Sequence, residues 1–587
     1  MSWSGELHGR YGQALAGNAV LIILAAGAAI AYVVATDRKR EWKLPPWAPT
    51  VALSALCVFA LVWAWQLRWL SDDAFISFRY AQNWVDGNGL VFNPGERVEG
   101  YTNFLWVVLL AIPNLVGIDI PTTAVLLCLG SQVGVLIMTT RLVRRLAPES
   151  KPVIVSLAAI VLACSYLTAT YATGGLETTF GAFLVLLSIE KARDDKLLVS
   201  GLCGIAATMA HPDHAIFYVA LGGVLLVRRV PIKKLIWYAA PFLVVFVPYF
   251  LIRWNYYGLF FPNTYYTKSG GATYFSQGGF YLYASALSAG LLGVLPLAVY
   301  GAIRRRRELV VQFAMVAAPL YLIYVAKVGG DFMLGRLLIP ALPLVLILGE
   351  LGVRTLIEDK RWKIAVPALL IASLACIPTR VIKHQEYIWH LTDERTFYQF
   401  DGLWPLEMKG NIPRRVATLK RYFTGSNPPP KYAAFAIGML GYETGWPVVD
   451  IHGLIDVELS AMPLAKRGRP GHERYASPAH IVKRGADISA MGVYDGRYDR
   501  EITKLTLDKE GYALTRYRAD LLDPLRDDPT VKFTRFPEYI DTFLAKAPQR
   551  GQAELKRELD FLDRFYFAGN PDPVRRDKLL ELIALAK

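Results

Sequence analysis

Apolar residues fall along this chain in long blocks instead of the short alternations of a soluble core, and many blocks are long enough to cross a bilayer. Twelve read as spans: 17–36, 48–67, 121–140, 152–170, 176–190, 197–210, 214–228, 234–253, 281–302, 309–327, 337–355 and 363–378. Several fall short of the ~20 residues of an upright span. The segment 71–120 has a different pattern. Phe75, Phe78, Ala81 and Trp84 recur every three residues with Ser77, Arg79, Gln82, Asn83 and Asp86 between them, which predicts an amphipathic helix lying in the membrane interface. Gly87-Asn88-Gly89 ends that helix, and a turn-rich loop runs from Asn93 to Asn103. The run 104–117 is short, and counting it as a span would invert the charge of every later loop, so it reads as a second interfacial or re-entrant helix. From about 380 the apolar blocks stop. Pro428, Pro429 and Pro430 precede a strand-like run, Tyr432 to Ile437, and 551–587 reads as helices with Phe561, Leu562, Phe565 and Tyr566 on one face. The pattern predicts an α-helical polytopic membrane domain over 1–379 and a soluble α/β domain over 380–587.

Composition agrees with a membrane protein: 587 residues, 54% hydrophobic, with a mean hydropathy of +0.31. The net charge of +15 would suit nucleic acid, but its distribution excludes that class. Alternate loops hold Arg38, Lys39, Arg40 and Lys43; Arg141, Arg144, Arg145 and Lys151; Lys191, Arg193 and Lys196; Arg228, Arg229, Lys233 and Lys234; Arg304 to Arg307; and Arg354, Lys360, Arg361 and Lys363. Basic loops stay in the cytoplasm, so the opposite loops and everything after Thr379 are expected outside it. The segment 17–36 is too long for a cleaved signal and reads as a retained helix. Cys57, Cys128, Cys164, Cys203 and Cys376 all fall within expected spans, so the region after 380 relies on no disulfide.

Candidate chemistry collects on the outer side. Asp72 and Asp73 are adjacent carboxylates beside a hydrophobic segment, where desolvation and mutual repulsion are costly unless a polar cavity needs an acid, a base or a cation. A helix end dipping into interfacial water is the plainer alternative, and Asp73 could serve only as a helix cap. Lys268 and Arg336 are outer cations not needed for orientation. Arg336 could simply pair with Asp331, and Lys268 could snorkel. Glu177 stands at an outer helix end, where it could bind hydroxyls or complement a helix N-terminus. His211-Pro212-Asp213-His214 contains metal-ligand types, but Pro212 disturbs helical ligand spacing and no further cluster appears, so no metal site is expected there.

Asp72 to Ala81, then Val91 to Trp106 with Asn93-Pro94-Gly95-Glu96-Arg97-Val98-Glu99-Gly100-Tyr101-Thr102-Asn103 at its centre, resembles the first outer loop of the bacterial GT-C glycosyltransferases that use polyprenyl-phosphate sugars. Within that class it is most similar to the arabinofuranosyltransferase branch. The resemblance continues through Tyr256 to Lys268 and Gly329 to Arg336. It departs at the extra helix 17–36, and at His211-Pro212-Asp213, where many relatives show Arg-Pro-Glu.

The resemblance implies Asp72 as the base that deprotonates the acceptor hydroxyl, with Asp73 orienting the acceptor or sharing a proton or a cation. It implies donor contacts from Arg79, Glu177, His211, Asn263, Tyr265, Lys268, Asp331 and Arg336, the cations facing the carrier phosphate. Acceptor contacts are expected from Glu99, Tyr101 and Asn103, and from His452 and His472 in motifs that an ordinary α/β fold could also carry on its surface.

The expected activity is transfer of a sugar, D-arabinofuranose on the resemblance, from a polyprenyl-phosphate donor such as decaprenyl-phosphate-arabinose to an extracytoplasmic glycan or protein, in the bacterial inner membrane among its lipids. Hexose and aminoarabinose donors are the competitors within that class. No cofactor is required, although a divalent cation could sit at Asp72 and Asp73. A transporter or flippase of lipid-linked glycans is the alternative class, disfavoured because the charges gather on one face instead of at the midplane. The domain after Thr379 is expected to govern the acceptor and not the donor.

Overall fold

In a computed structural model the chain is described over residues 3–37, 45–147, 153–268, 272–401, 407–464, 466–494 and 501–586. The basic loop residues Arg38, Lys39, Arg40, Lys43 and Lys151 lie outside these.

Up to Cys376 the described residues form a bundle of mostly apolar helices. Among the described residues four helices are long and apolar enough to cross a membrane: Ala48–Gln66, Ile120–Leu146, Ile232–Tyr257 and Leu309–Val328. Counting each of two bent helix pairs as one span gives up to six. Other expected spans are shorter or broken helices. The run 281–302 is divided where Phe275–Ser288 meets Leu291–Arg304 at 86°, because Gly290 takes φ +63° and Pro296 begins the next helix. The run 152–170 divides at Ser165, which is extended between Leu157–Cys164 and Tyr166–Tyr171. Leu342–Glu358 is buried from Leu342 through Ile357, so that apolar block supplies the centre of the bundle and not a lipid-facing surface. Apolar length does not distinguish these cases.

The helix Asp72–Val85 corrects the interfacial expectation. Ser71 caps it, its hydroxyl accepting from the Asp73 N–H at 3.3 Å. Ala74, Phe75, Phe78, Tyr80 and Ala81 are buried, but so are Asp72, Ser77, Arg79 and Asn83 on the polar side. The cover on the second face is the helix Gly438–Thr444 from the C-terminal region, while Phe104–Asn114 packs beneath. Tyr442 of that cover stands 5.6 Å from Phe75 and 5.8 Å from Phe78, ring to ring.

The C-terminal region is built on a six-stranded sheet whose order is 531–532, 504–507, 510–514, 488–489, 432–434, 448–450. The strand 432–434 is parallel to both its neighbours, and the remaining pairs are antiparallel. Phe561, Leu562, Phe565 and Tyr566 pack inward as their spacing predicts, Phe565 lying 4.6 Å from the Phe536 ring.

This region is stitched to the bundle. Arg10 pairs with Glu386, Thr392 exchanges backbone bonds with Phe332 and Leu334 at 2.9 Å, and the Asn93 amide bonds both backbone groups of Val448 at 2.8 and 3.0 Å.

Candidate active site

Asp72 is the first residue of its helix, and its carboxylate is turned toward the start of Gly438–Thr444. The N–H of Gly438 donates to Oδ2 at 3.0 Å and the N–H of Met439 donates to Oδ1 at 2.9 Å. A side chain at 438 could not be accommodated, since a Cβ there would stand 1.9 Å from the Asp72 backbone oxygen. Burial pushes the Asp72 carboxyl up to about 6; the two N–H groups oppose the shift, and Asp73 and Asp450 add to it. Asp73 is also raised by burial, while Arg336 and then Lys268 hold it down. Asp450 is a second cradled acid, accepting N–H bonds from His452 at 2.8 Å, from Ile455 at 3.2 Å and from Leu454.

Two cavities meet here. One of about 550 Å³ is lined by Asp72, Asp73, Glu394, Asp450, His452, Arg469 and His472, with Tyr387, Tyr398 and Phe435 among its apolar walls. The other, about 480 Å³, is lined by His211, Asp213, Tyr265, Asp331, Arg336 and Arg467. Lys268 and Gly471 line both. The second cavity also touches an apolar groove of about 940 Å³ between helices Ala215–Val227 and Leu309–Val328, Ile216 being common to the two. Shared lining residues therefore set a hydrocarbon-lined groove, a cation-lined cavity and a pair of carboxylates next to one another.

Arg336 is the electrostatic hub. It reaches Glu177 at 3.2 Å, Asp331 at 3.4 Å and Asp73 at 3.8 Å. Arg336 does pair with Asp331, the plainer alternative, and it also carries Glu177 and Asp73; Glu177 makes no side-chain cap bond to the helix it precedes. Asn103 donates to Glu177 at 2.7 Å and accepts from Ser77 at 3.1 Å, so it fixes this acid instead of facing the Asp72 cavity. His211 pairs with Asp213, which also takes the Tyr321 hydroxyl at 3.1 Å. Tyr265 packs at a tilt against Phe261, ring centroids 4.4 Å apart, along the Arg336 cavity. Among the described residues no group of three or more His, Cys, Asp or Glu is placed to hold a metal ion.

Several expected ligand contacts are occupied by the fold. Arg79 donates to the backbone oxygens of Phe92 at 3.1 Å and Gly445 at 2.8 Å, lining neither cavity and clamping the helix to the C-terminal region. Glu99 is buried against Arg253 at 2.7 Å. Tyr101 packs its ring 4.7 Å from Tyr80 and its hydroxyl 3.3 Å from that of Tyr257. Asn263 donates to Gly453 at 3.0 Å and Leu454 at 2.8 Å and accepts from Ser460 at 2.6 Å, which leaves no amide hydrogen for a donor sugar. These polar groups are buried, and burial is tolerated only where hydrogen bonds are made within the protein.

His452 and His472 face the Asp72 cavity, their rings 4.8 Å apart. Burial, with Arg469 beside it, pushes His472 well below the ordinary histidine range, so it is neutral at physiological pH. Glu394, Tyr398, Arg467 and Arg469 are site residues that local pattern did not single out. Arg469 stands three residues before His472, whereas Glu394 follows a two-residue strand and carries no periodic signal. Arg467, Pro470, Gly471 and Glu473 line the Arg336 cavity, so the region after Thr379 contributes to both sides of the site.

No family model matches the chain. A terminal beta-(1->2)-arabinofuranosyltransferase of Corynebacterium glutamicum is 30% identical over 414 residues, 60% of this chain but only 58% of that protein's length. Its Mycobacterium tuberculosis counterpart is 28% identical over 564 residues, covering 77% of this chain and 88% of that one. Among solved structures, apo ArnT from Cupriavidus metallidurans aligns with a TM-score of 0.50 at 12% identity, over 79% of this chain and 97% of ArnT. The same ArnT bound to undecaprenyl phosphate gives 0.46. The chain is thus similar in sequence to terminal arabinofuranosyltransferases and shares the fold of ArnT.

Proposed function

We propose that the protein transfers a pentofuranosyl group, D-arabinofuranose, from a polyprenyl-phosphate carrier to a hydroxyl of an extracytoplasmic glycan. The observation that carries this reading is the adjacency of apolar groove, cation-lined cavity and carboxylate pair. The prenyl chain lies in the groove between Ala215–Val227 and Leu309–Val328, which puts the phosphate in the Arg336 cavity and the sugar at the junction by Lys268. The acceptor enters the Asp72 cavity. Its hydroxyl proton passes to Asp72 as its oxygen bonds the anomeric carbon. The bond from that carbon to the phosphate oxygen breaks, and polyprenyl phosphate departs with the electron pair. Lys268 and Arg336 offset the growing charge on the leaving phosphate. Names of relatives favour arabinofuranose over hexose or aminoarabinose donors. The full set of twelve spans and the outward face of the site belong to the same proposal.

Sidedness is tested by reporter fusions. A fusion after Arg307 is expected to report cytoplasm and one after residue 440 the other compartment; one shared compartment would overturn the orientation.

Lys268 and Arg336 are expected to differ. Lys268→Ala should weaken donor binding about tenfold, the scale of one charge-assisted hydrogen bond, with little change in melting temperature. Arg336→Ala strips Glu177, Asp331 and Asp73 of a shared cation, so it should also destabilise the fold, by roughly 3–5 kcal/mol as for other broken buried pairs. Titration of both variants with a polyprenyl-phosphate sugar and a phosphate-free analogue checks this. Equal losses for the two ligands would mean that neither residue meets phosphate.

A further inference from the structure

The Asp72 cavity contains a carboxylate and a guanidinium with unspent hydrogen-bonding capacity. Glu394 is 8% exposed, and its Oε2 accepts no hydrogen bond among the described residues. Its ion-pair partner is Arg469, whose Nη2 lies 3.6 Å away, beyond hydrogen-bond reach. Arg469 is laid over the rings of Phe332 at 4.4 Å and Tyr387 at 5.0 Å, and its Nε is likewise buried without an acceptor. Both side chains line the cavity beside Asp72 and Asp73.

Slack does not explain this. The segment before Glu394 is fixed by the backbone bonds between Thr392 and Phe332 and Leu334. Asp393 takes the Tyr166 hydroxyl at 2.6 Å and pairs with Arg380 at 3.0 Å. A buried carboxyl without hydrogen bonds is costly, and a rigid wall that keeps one facing a cavity is suited to a ligand that supplies them. Burial pushes Glu394 up to about 8 against the pull of Arg469, with Asp73, Asp72 and Asp331 adding to the rise. At neutral pH it therefore carries a proton, offering one donor and one acceptor. With the fixed guanidinium, the wall presents both hydrogen-bonding senses side by side, the complement of two neighbouring hydroxyls on a sugar ring.

We propose that Glu394 and Arg469 form a diol-reading pair that holds the acceptor sugar by hydroxyls adjacent to the one Asp72 deprotonates. The inference rests on the transferase reading above and assigns it a specificity-determining pair. Neither residue exchanges a proton with the reacting oxygen; their effect is on acceptor binding and register.

The test uses the full-length protein in detergent with a polyprenyl-phosphate arabinose donor. The acceptors are a synthetic octyl arabinofuranosyl disaccharide and its congener lacking one hydroxyl next to the accepting position. Slow hydrolysis of the donor without acceptor is followed in parallel. Glu394→Leu, which removes both the donor and the acceptor, and Arg469→Gln are expected to raise the acceptor KM about tenfold or more, and by a larger factor than they lower donor hydrolysis, the scale of one or two hydrogen bonds. In wild type the deoxy congener should carry a similar penalty, and in the variants that penalty should shrink, because the partner has gone. Glu394→Asp, keeping the carboxyl, should recover part of the loss. An unchanged acceptor KM, a deoxy penalty of equal size in wild type and variants, or a parallel fall in donor hydrolysis overturns the pair. If wild type consumes no donor with or without acceptor, the transferase reading fails first, which separates the two outcomes.

Discussion

Asp72→Asn should lower transfer by roughly 10²- to 10⁴-fold, the contribution of a positioned general base. The amide keeps the shape but cannot take the proton. It also has only one acceptor oxygen, while Asp72 uses both oxygens on the N–H groups of Gly438 and Met439, so one of those donors will face the amide nitrogen. Some loss of stability, about 1–3 kcal/mol for an unsatisfied buried donor, is therefore expected beside the loss of chemistry. Donor binding, measured separately, should persist because the groove and the Arg336 cavity are untouched. The pH profile gives an independent check. Burial raises the Asp72 carboxyl to about 6 from an ordinary 3.8, and the base works only when ionised. Transfer should rise with pH through about 6 and fall away below it. Turnover of the Asn variant within about tenfold of wild type would remove Asp72 from the role of base.

Gly438→Ala is expected to have the next largest effect. A Cβ at that position would lie 1.9 Å from the Asp72 backbone oxygen, and neither backbone can yield without moving the helix Gly438–Thr444 off Asp72–Val85. That movement breaks the pair of N–H bonds that orient the carboxylate. Overpacking of this kind costs about 1–3 kcal/mol, and loss of orientation should reduce transfer by about 10- to 100-fold. The two N–H groups hold the Asp72 carboxyl down against burial, so the acidic limb of the pH profile should also move to higher pH. A purely structural defect would lower activity without moving that limb. Gly551→Ala, where a new Cβ meets nothing within 4 Å, is the control and should be silent. An unshifted limb in an otherwise folded Gly438→Ala protein would separate that helix from the chemistry.

The same contact revises the division of labour expected from sequence. A region that grips Asp72 and lends Arg467, Pro470, Gly471 and Glu473 to the Arg336 cavity is part of the donor side as well as the acceptor side. Deleting it would not isolate acceptor binding.

How much was legible depends on how far each residue's partners lie along the chain. Apolar block length and alternating loop charge mark a polytopic bundle, because desolvation acts on each segment separately. Ser71 before Asp72 and Asp73 marks a helix start, since a cap is satisfied within three residues. The cations Lys268 and Arg336 stand out because the alternation of loop charge does not require them. What tertiary structure alone decided is the use of each polar group. Asp72 finds its donors 366 and 367 residues away, and the three-residue spacing of Phe75 and Phe78 could not announce that a helix from the C-terminal region would bury the opposite face too. Arg79, Glu99 and Asn263 look like ligand groups in a polar loop, yet their hydrogen bonds are taken by backbone and side chains brought up from elsewhere. Glu394 has no local signal at all and becomes a site residue because the backbone of Thr392 is pinned to Phe332 and Leu334. Local physics sets which segments leave water; only the packed chain determines which of the buried polar groups remain unpaired and facing a cavity.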